Sequence, residues 1–411
     1  MRVERRGFLR GTAAALGGAT VGAACPADAR ATVTASATGS GDSSTAGRVV
    51  PFHGAHQAGI VTPRQPSSAF VSFDLTAGSR RELAELMQTL TARVRWLTRG
   101  GVPPELGISA PPADSGTLGA AVPADGLTVT VGLGAGAFAE RFGTAGDKPR
   151  LLRPMDTFPD DQLDPARCHG DLLLQICADH SDTVLHALRD LTRHTRGAMQ
   201  PRWRVGGFNS PSRPDGAPRN HLGFKDGSTN PSTTDPSAMD ELVWAGSGEP
   251  AWARGGSYQV VRVIRTLVEF WDRVTISEQE RMIGRRRGSG APLSGSVETD
   301  VPDYTADPMG STIPLDAHIR MANPRTTQSA SSQLLRRGYN YDSGLDVNGN
   351  LDMGLIFACY QADLDRQFVA VQRRLAGEPL TDYIAPVGGG YFYAVPGVRD
   401  RSDWFASDLL A

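Results

Sequence analysis

The chain has 411 residues, of which 40% are hydrophobic and 21% are charged, and these fractions are typical of a globular protein with a sizeable core. The formal net charge is −2, so composition favours neither nucleic acid nor an anionic membrane as the main partner. The 47 glycines and 28 prolines predict many turns and long connections, which excludes a simple helical bundle.

The N-terminus has the pattern of an export signal. The twin arginines Arg5 and Arg6 are followed by an apolar run over residues 12–24 and by a small-x-small cleavage site that ends at Ala29. The apolar run is shorter than the ~20 residues that a membrane span needs. We therefore predict a twin-arginine signal peptide over residues 1–29 and an extracellular, periplasmic or envelope-associated protein, with the cleavage site and lipidation left open.

Residues 30–56 are rich in Ala, Ser, Thr and Gly, and we predict that they form a disordered tether. Two domains follow, an N-terminal one over residues 57–222 and a C-terminal one over residues 223–411. Period-2 and helical spacings predict, in chain order, a strand at 69–75, a helix at 79–95, strands at 127–133 and 171–177, a helix at 181–196 and a strand at 202–207.

The second half repeats the same succession of strands and helices. Its predicted elements are a strand at 257–264, a helix at 269–284 opened by Thr266, a strand at 355–359, a helix at 363–375 and a strand at 391–395. The fold class is therefore α+β, with two copies of a split βαβ unit and antiparallel sheets. The polar, Gly- and Pro-rich stretch between Ile283 and His318 is longer than an ordinary connection, and loops of that length usually carry function.

Three cysteines follow the predicted signal peptide, at Cys168, Cys177 and Cys359. They do not form a disulfide framework, and the chain has no Cys-x-x-Cys motif. The sequence therefore supports neither a zinc ribbon nor covalently attached haem.

Three separated residues are the candidates for chemistry. Asp226 lies in a turn framed by Gly223 and Gly227, His318 lies in a short apolar-polar run, and Arg336 follows it in an arginine pair. Each has an ordinary explanation when it is taken alone: a turn aspartate bonded to its own backbone, a structural histidine and a solvated charge. Their functional meaning depends on the three occurring together.

Several motifs in order give the chain a resemblance to a known family. They are QAGIVTPRQP (57–66), the GxxDG turn (223–227), HIRMANPR (318–325), LLRRGYNY (334–341) and VGGGYFYAVPG (387–397). With them the chain resembles the dye-decolourising haem peroxidases, and most closely the exported branch described as deferrochelatases. The resemblance covers about residues 57–397 and implies two ferredoxin-like halves, with noncovalent haem b in a pocket of the C-terminal half.

The resemblance also assigns roles. His318 would be the proximal iron ligand, since neutral imidazole is the usual axial donor in peroxidases. Asp382, or alternatively Asp363, would accept the hydrogen bond from its other nitrogen. Asp226 and Arg336 would form the distal catalytic pair: the carboxylate moves a proton of hydrogen peroxide, and the fixed cation stabilises the charge that develops as the O–O bond breaks. An aspartate also suits a low pH optimum, because a carboxylate stays an active base at acidic pH.

Further residues are expected around the cofactor. The backbone and hydroxyl groups of Gly227, Ser228 and Thr229 would bind a haem propionate, helped by Arg320 or Arg325, and Leu355 and Phe357 would form the apolar distal wall. The charge run at 285–287 has the pattern of a solvated loop. The candidate relays of oxidising equivalents to a bulky donor are Tyr339, Tyr341, Tyr391, Tyr393, Trp252 and Trp271.

The predicted function is a hydrogen-peroxide-dependent haem peroxidase that oxidises dyes, phenolics or other bulky donors. One alternative within the resemblance is a deferrochelatase, which removes iron from haem, leaves the porphyrin intact and works beside an iron permease in the membrane. A second alternative is a haem carrier without catalysis, although a carrier needs no acid-base pair over the iron. The natural reductant and homo-oligomer formation are left open.

Overall fold

The computed structural model describes residues 47–411, and the predicted signal peptide lies outside this range. Among the described residues, no helix has the length and apolar character required to cross a membrane.

The strands are β1 (Ser67–Leu75), β2 (Thr128–Leu133), β3 (Leu172–Ala178), β4 (Met199–Phe208), β5 (Ser257–Thr266), β6 (Leu335–Arg336), β7 (Tyr339–Leu345), β8 (Leu351–Gln361) and β9 (Ile384–Ala394). The α-helices are α1 (Arg80–Arg99), α2 (Ser181–His194), α3 (Pro236–Leu242), α4 (Val268–Trp271), α5 (Ile276–Ile283), α6 (His318–Ala322), α7 (Thr327–Ala330), α8 (Ala370–Leu375) and α9 (Ser407–Leu410).

The N-terminal half forms the predicted split βαβ unit. Its elements run β1-α1-β2-β3-α2-β4, and its strands pair antiparallel in the order β2-β3-β1-β4. The side chain of Ser79 caps α1 by accepting a hydrogen bond from the backbone N–H of Glu82. The face of α1 that carries Leu83, Leu90 and Val94 is buried in the main hydrophobic core, so apolar spacing along the helix sets its packing.

The C-terminal half repeats the arrangement, with antiparallel strands in the order β9-β5-β8-β7. The repeat and the α+β class predicted from sequence are confirmed. Strand β7 was absent from the prediction. Its period-2 pattern is short, because Tyr339 and Tyr341 are buried whereas the last four residues of the strand are exposed.

The two sheets join into one closed ring of strands. Strand β2 pairs with β9 at Gly132 and Ala394, strand β4 pairs with β7 at Phe208 and Asn340, and β5 pairs with β8. A second hydrophobic cluster draws side chains from both halves, and its larger members include Phe70, Leu173, Trp203, Val261, Ile356 and Phe392. The halves therefore share a core and form one compact body.

Two predicted helices differ from the structure. The helix expected at 269–284 is divided into α4 and α5, because extended backbone at Thr275 interrupts it and the Thr275 side chain caps α5 at Glu278. Thr266, the predicted cap, is the last residue of β5. The helix expected at 363–375 begins with a π-helical turn, Asp365–Val369, and continues as α8.

The predicted tether extends too far. Within the described part of that segment, Arg48 forms an ion pair with Asp179, and the ring of His56 stacks on Trp244 with 3.7 Å between centroids. The backbone N–H of Gly54 also donates to the carbonyl of Val398. These contacts place residues 48–56 on the folded body, so the prediction of a tether up to residue 56 is wrong for this part.

Candidate active site

A cavity of about 290 Å³ lies in the C-terminal half. Its walls come from β5, β8 and β9, from the turn over residues 220–229, from α6, and from the helical segment over residues 368–375. The lining includes both apolar and charged side chains. The three residues singled out from sequence, Asp226, His318 and Arg336, all border it.

His318 is the first residue of α6, and its hydrogen bonding leaves one ring nitrogen available. Its Nδ1 lies 2.7 Å from Oε2 of Glu378, a carboxylate whose side chain is only 3% exposed. The imidazole itself is 32% exposed because it borders the cavity. Burial lowers the pKa of His318, but the charge and hydrogen bond of Glu378 outweigh burial and raise it above the ordinary value. Nε2 is therefore the nitrogen that can bind a metal in the cavity.

The carboxylate beside His318 is not the predicted one. Asp382 is exposed at the end of the 3₁₀ turn Pro379–Asp382, and Asp363 accepts a hydrogen bond from the backbone N–H of Arg366. The prediction of Asp382, with Asp363 as the alternative, is wrong because Glu378 occupies the position. Glu378 lies 60 residues from His318, and no local pattern marks it.

Asp226 and Arg336 form the expected pair. Nη1 of Arg336 donates to Oδ1 of Asp226 at 3.3 Å, and Nη2 donates to the Thr229 hydroxyl at 3.2 Å. The Asn230 side chain accepts from the backbone N–H of Arg336 at 3.2 Å and donates to its carbonyl at 2.7 Å. The two side chains are 28% and 23% exposed, so both can reach the cavity.

The turn that carries Asp226 depends on glycine. Gly223 and Gly227 have φ of +85° and +107°, a backbone region that other residues rarely adopt. The Ser228 hydroxyl donates to Glu298 at 2.6 Å, so its hydrogen is already committed. Gly227, Ser228 and Thr229 all line the cavity, and their binding of a haem propionate stays a prediction.

The cations on the cavity wall differ from the prediction. Arg320 turns away from the lining and donates to Asp307 and to the carbonyl of Ile313. Arg325 borders the cavity, and so does Arg285, which is 6% exposed. The choice of Arg320 and the description of residue 285 as part of a solvated loop are therefore wrong. Arg285 and Arg325 come from different loops, which sequence spacing does not relate, and Arg262 of β5 and Arg336 line the cavity as well.

The apolar wall is placed by strand alternation. Leu355 and Phe357 on β8 line the cavity, whereas the intervening Ile356 is fully buried in the core between the sheets. The predicted assignment of Leu355 and Phe357 to a wall of the pocket therefore agrees with their position.

The candidate relay residues differ in whether they contact an aromatic ring that lines the cavity. Tyr391 and Trp271 each pack edge-on against an aromatic ring of the cavity wall, Phe368 at 5.8 Å and Phe224 at 6.3 Å between centroids. The other four, Tyr339, Tyr341, Tyr393 and Trp252, are buried in the core and do not border the cavity. Tyr391 and Trp271 are thus each separated from the cavity by one ring.

The residues present fit a haem group better than a bare metal ion. Among residues 47–411, no group of three or more His, Cys, Asp or Glu side chains could hold a metal. A single imidazole suits an iron whose other four ligands are porphyrin nitrogens. Leu355 and Phe357 offer apolar contact to a flat ring, and Arg285 and Arg325 offer charge to its carboxylates.

Comparison with known proteins gives the family. The model of the N-terminal domain of Dyp-type peroxidases matches residues 57–209, and the model of the C-terminal domain matches residues 217–399. Together they cover most of the chain, which belongs to the Dyp-type peroxidase family. Members of this family are haem enzymes that act on peroxide.

The chain is also similar to individual members. It is 48% identical over 402 residues to the deferrochelatase of Escherichia coli K12, which covers 96% of this chain and 95% of the relative. Its structure resembles a DyP-type peroxidase from Cellulomonas bogoriensis, with a TM-score of 0.80, 39% identity, and coverage of 89% of this chain and 99% of the other. It also resembles ferric DtpA from Streptomyces lividans, with a TM-score of 0.79, 35% identity, and coverage of 89% and 98%.

Proposed function

We propose that this Dyp-type peroxidase reduces hydrogen peroxide to water with Asp226 and Arg336 as its distal pair, and draws the two electrons from a bulky donor. The observation that supports this reading is the convergence of the Asp226–Arg336 pair and the Glu378-bonded His318 on one cavity. Nε2 of His318 would hold the cofactor, and Leu355 and Phe357, which line the cavity, would contact the porphyrin. When it is bound, haem supplies an iron atom that binds peroxide and exchanges electrons.

Different side chains around the cavity transfer the proton, stabilise the developing charge and orient the iron ligand. A carboxylate oxygen of Asp226 accepts a proton from hydrogen peroxide and returns it to the oxygen that leaves as water. The Arg336 guanidinium holds a fixed positive charge where negative charge develops as the O–O bond breaks. Glu378 keeps His318 in the tautomer that carries its proton on Nδ1, which leaves Nε2 free to bind iron.

Stopped-flow absorption tests this proposal. We expect haem-loaded wild type to show a rapid change in the Soret band with one equivalent of peroxide. Asp226→Asn and Arg336→Leu should slow it by ~100-fold or more, within the range for general acid-base and electrostatic groups. Asp74→Asn is the matched control, because Asp74 pairs with Arg202 at the same 3.3 Å outside the cavity. Unchanged rates in both cavity variants would overturn the assignment of the pair.

A second candidate activity is the release of iron from haem with the porphyrin left intact. Its support is the 48% identity over nearly the whole chain to proteins named deferrochelatase. Incubation of the protein with haem should then yield iron-free porphyrin, detected by its fluorescence, in proportion to the iron captured by a ferrous chelator. Haem that stays metallated throughout would exclude this activity. A haem carrier, the third alternative, would bind haem and show no peroxide reaction.

We further propose export by the twin-arginine route and action outside the cytoplasm, beside an iron permease if iron release is physiological. The support is the pattern at Arg5 and Arg6 with the apolar run that follows. A fusion of residues 1–29 to a reporter should be exported, and the same fusion with Arg5→Lys and Arg6→Lys should stay in the cytoplasm. Equal export of both fusions would contradict the route.

A further inference from the structure

The motif over residues 57–66 has no role in the reaction described so far, yet its polar side chains reach across the fold. Gln57 donates to the carbonyls of Val131 and Val395 and accepts from the N–H of Val131, where the two halves of the ring of strands meet. The segment belongs to the N-terminal half, whereas every candidate catalytic residue belongs to the C-terminal half. It is therefore placed to link one half to the site in the other.

Arg64 makes this link at the distal pair. Its Nη1 donates to the carbonyl of Gly338 at 3.1 Å, and its Nη2 donates to the backbone carbonyl of Asp226 at 3.4 Å. Gly338 lies two residues after Arg336. One planar guanidinium thus contacts both backbone segments that carry the catalytic pair, and it leaves the Asp226 carboxylate free for the cavity.

The neighbouring arginine supports the same arrangement. Arg336 borders the cavity, whereas Arg337 points to the other side of β6 and is only 3% exposed. Its guanidinium donates to the carbonyl of Thr62 and to the side chain of Gln65. Among the described residues, no carboxylate pairs with Arg337. Residues 62–65 therefore bind β6 from the side opposite the cavity.

Gly227 explains how Arg64 comes so close to the Asp226 turn. A Cβ atom at position 227 would lie 3.1 Å from Nη2 of Arg64, tighter than ordinary contact. The glycine of the turn thus serves both its positive φ and the approach of the guanidinium. The turn and the arginine are matched in shape as well as in hydrogen bonding.

We propose that Arg64 is a positioning residue that sets the separation and orientation of Asp226 and Arg336. This inference rests on the proposed peroxidase function of that pair. The planar guanidinium holds two carbonyls at a fixed spacing, whereas the three donors of a lysine ammonium rotate about one nitrogen on a flexible stem and do not fix that spacing. Loss of the guanidinium removes one tie between the turn and β6 and leaves the bonds of Asn230 to the Arg336 backbone, so the two segments are held less exactly. A displacement of ~1 Å at a reacting group can cost about 100-fold in rate.

Three variants of the haem-loaded protein test the role of Arg64. We expect Arg64→Leu to slow the peroxide-dependent Soret change by ~10- to 100-fold and Arg64→Lys to restore only part of the rate. Arg48→Leu is the control, since Arg48 also ties the N-terminal segment to the body through an ion pair but does not line the cavity. Its rate should equal that of wild type.

Cyanide affinity supplies a readout other than turnover. Cyanide enters as neutral hydrogen cyanide and binds as an anion. Its binding therefore requires a proton acceptor and a cation that are correctly placed relative to each other. We expect Arg64→Leu to weaken cyanide binding and to shift its pH dependence, while haem titration of the apo-protein matches that of Arg48→Leu. Equal cyanide affinity in wild type and Arg64→Leu would overturn the proposal, as would a haem affinity that falls in step with the rate.

A double-mutant cycle identifies the residue through which Arg64 acts. In an Asp226→Asn background, Arg64→Leu should lower the rate of the peroxide-dependent Soret change by less than about a further twofold, because the effects of coupled residues are not additive. Fully additive losses of rate would contradict the proposal.

The outcomes for the two proposals can be told apart. If wild type binds haem but does not react with peroxide, the proposed function fails. If wild type and Arg64→Leu react equally fast, only the positioning role fails. Should Arg64→Leu not fold, Arg64→Lys carries the same comparison.

Discussion

Glu378 and His318 are joined by a 2.7 Å hydrogen bond across 60 residues of chain, and the carboxylate is almost completely buried. A buried, ionised partner increases the basicity of the imidazole and fixes its orientation. The electronic character of a cofactor bound at Nε2 would therefore depend on Glu378 through its hydrogen bond to His318.

Replacement of Glu378 by glutamine should keep the hydrogen bond but remove the charge. We expect haem to bind, the ferric/ferrous reduction potential to rise, and the peroxide reaction to slow by ~10- to 100-fold, the usual effect of changing an outer partner of a metal ligand. Potentiometric titration of the haem-loaded variant measures the potential. The exposed Asp382→Asn is the control, and a shift in that variant without one in Glu378→Gln would contradict this account.

Arg285 and Arg325 on the cavity wall should contribute to haem affinity. Arg325→Leu is expected to weaken haem binding by ~10-fold, the value of one charged hydrogen bond. Titration of the apo-protein with haem gives the affinity. Arg320→Leu is the matched control from the same short segment, because Arg320 bonds Asp307 and the carbonyl of Ile313 rather than facing the cavity. Equal loss in both variants would contradict a direct contact at Arg325.

Glu298 should make the stability of the turn that carries Asp226 depend on pH. Burial raises its pKa, but hydrogen bonds from Lys225, Ser228 and the N–H of Ala217 outweigh burial and lower it from the ordinary 4.5. A group with a lowered folded pKa stabilises the protein above its unfolded pKa, and this contribution is lost as pH falls through the folded value. Wild type should therefore be more stable than Glu298→Gln at pH 7.

The difference in melting temperature between these two proteins should shrink as the pH drops below about 4.5, the ordinary value for glutamate. Thermal melts of both proteins between neutral and acidic pH measure it. A difference that stays constant over the whole range would show that the ionised Glu298 does not stabilise the turn.

The conformation of the turn can be tested at Gly227. Gly227→Ala combines a φ of +107° with a Cβ only 3.1 Å from Arg64, so we expect a loss of ~1–3 kcal/mol in the free energy of unfolding. Denaturant titration measures the loss. Gly246→Ala is the control, since no atom lies within 4 Å of its added Cβ and its φ is not in the left-handed region. Similar losses in both variants would exclude strain at Gly227.

The regular part of the fold was predictable because it follows from local spacing. Strands with period-2 apolar residues and helices with a buried face, such as α1, are legible without tertiary information. The break at Thr275 was not, because a threonine in the middle of a helical pattern can either continue the helix or cap a new one. Strand β7 was missed because half of its residues are exposed.

The site shows the same division. Asp226, His318 and Arg336 could be assigned from motifs, and the structure brings them to one cavity. Glu378 and Arg64 could not, since each acts through a contact with a residue distant in the chain, and only tertiary packing decides which of several carboxylates or arginines makes it. Local patterns mark the candidate residues of the site, whereas long-range contacts decide which side chains lie beside them.

The proposed haem peroxidase activity is tested most directly by the Soret spectrum of the haem-loaded protein before and after one equivalent of hydrogen peroxide, with His318→Ala measured beside it. We expect a His-ligated spectrum and a rapid peroxide-dependent change in wild type, and lost ligation in the variant. A wild type that binds haem but does not respond to peroxide, or a His318→Ala variant with an unchanged spectrum, would contradict the proposed activity.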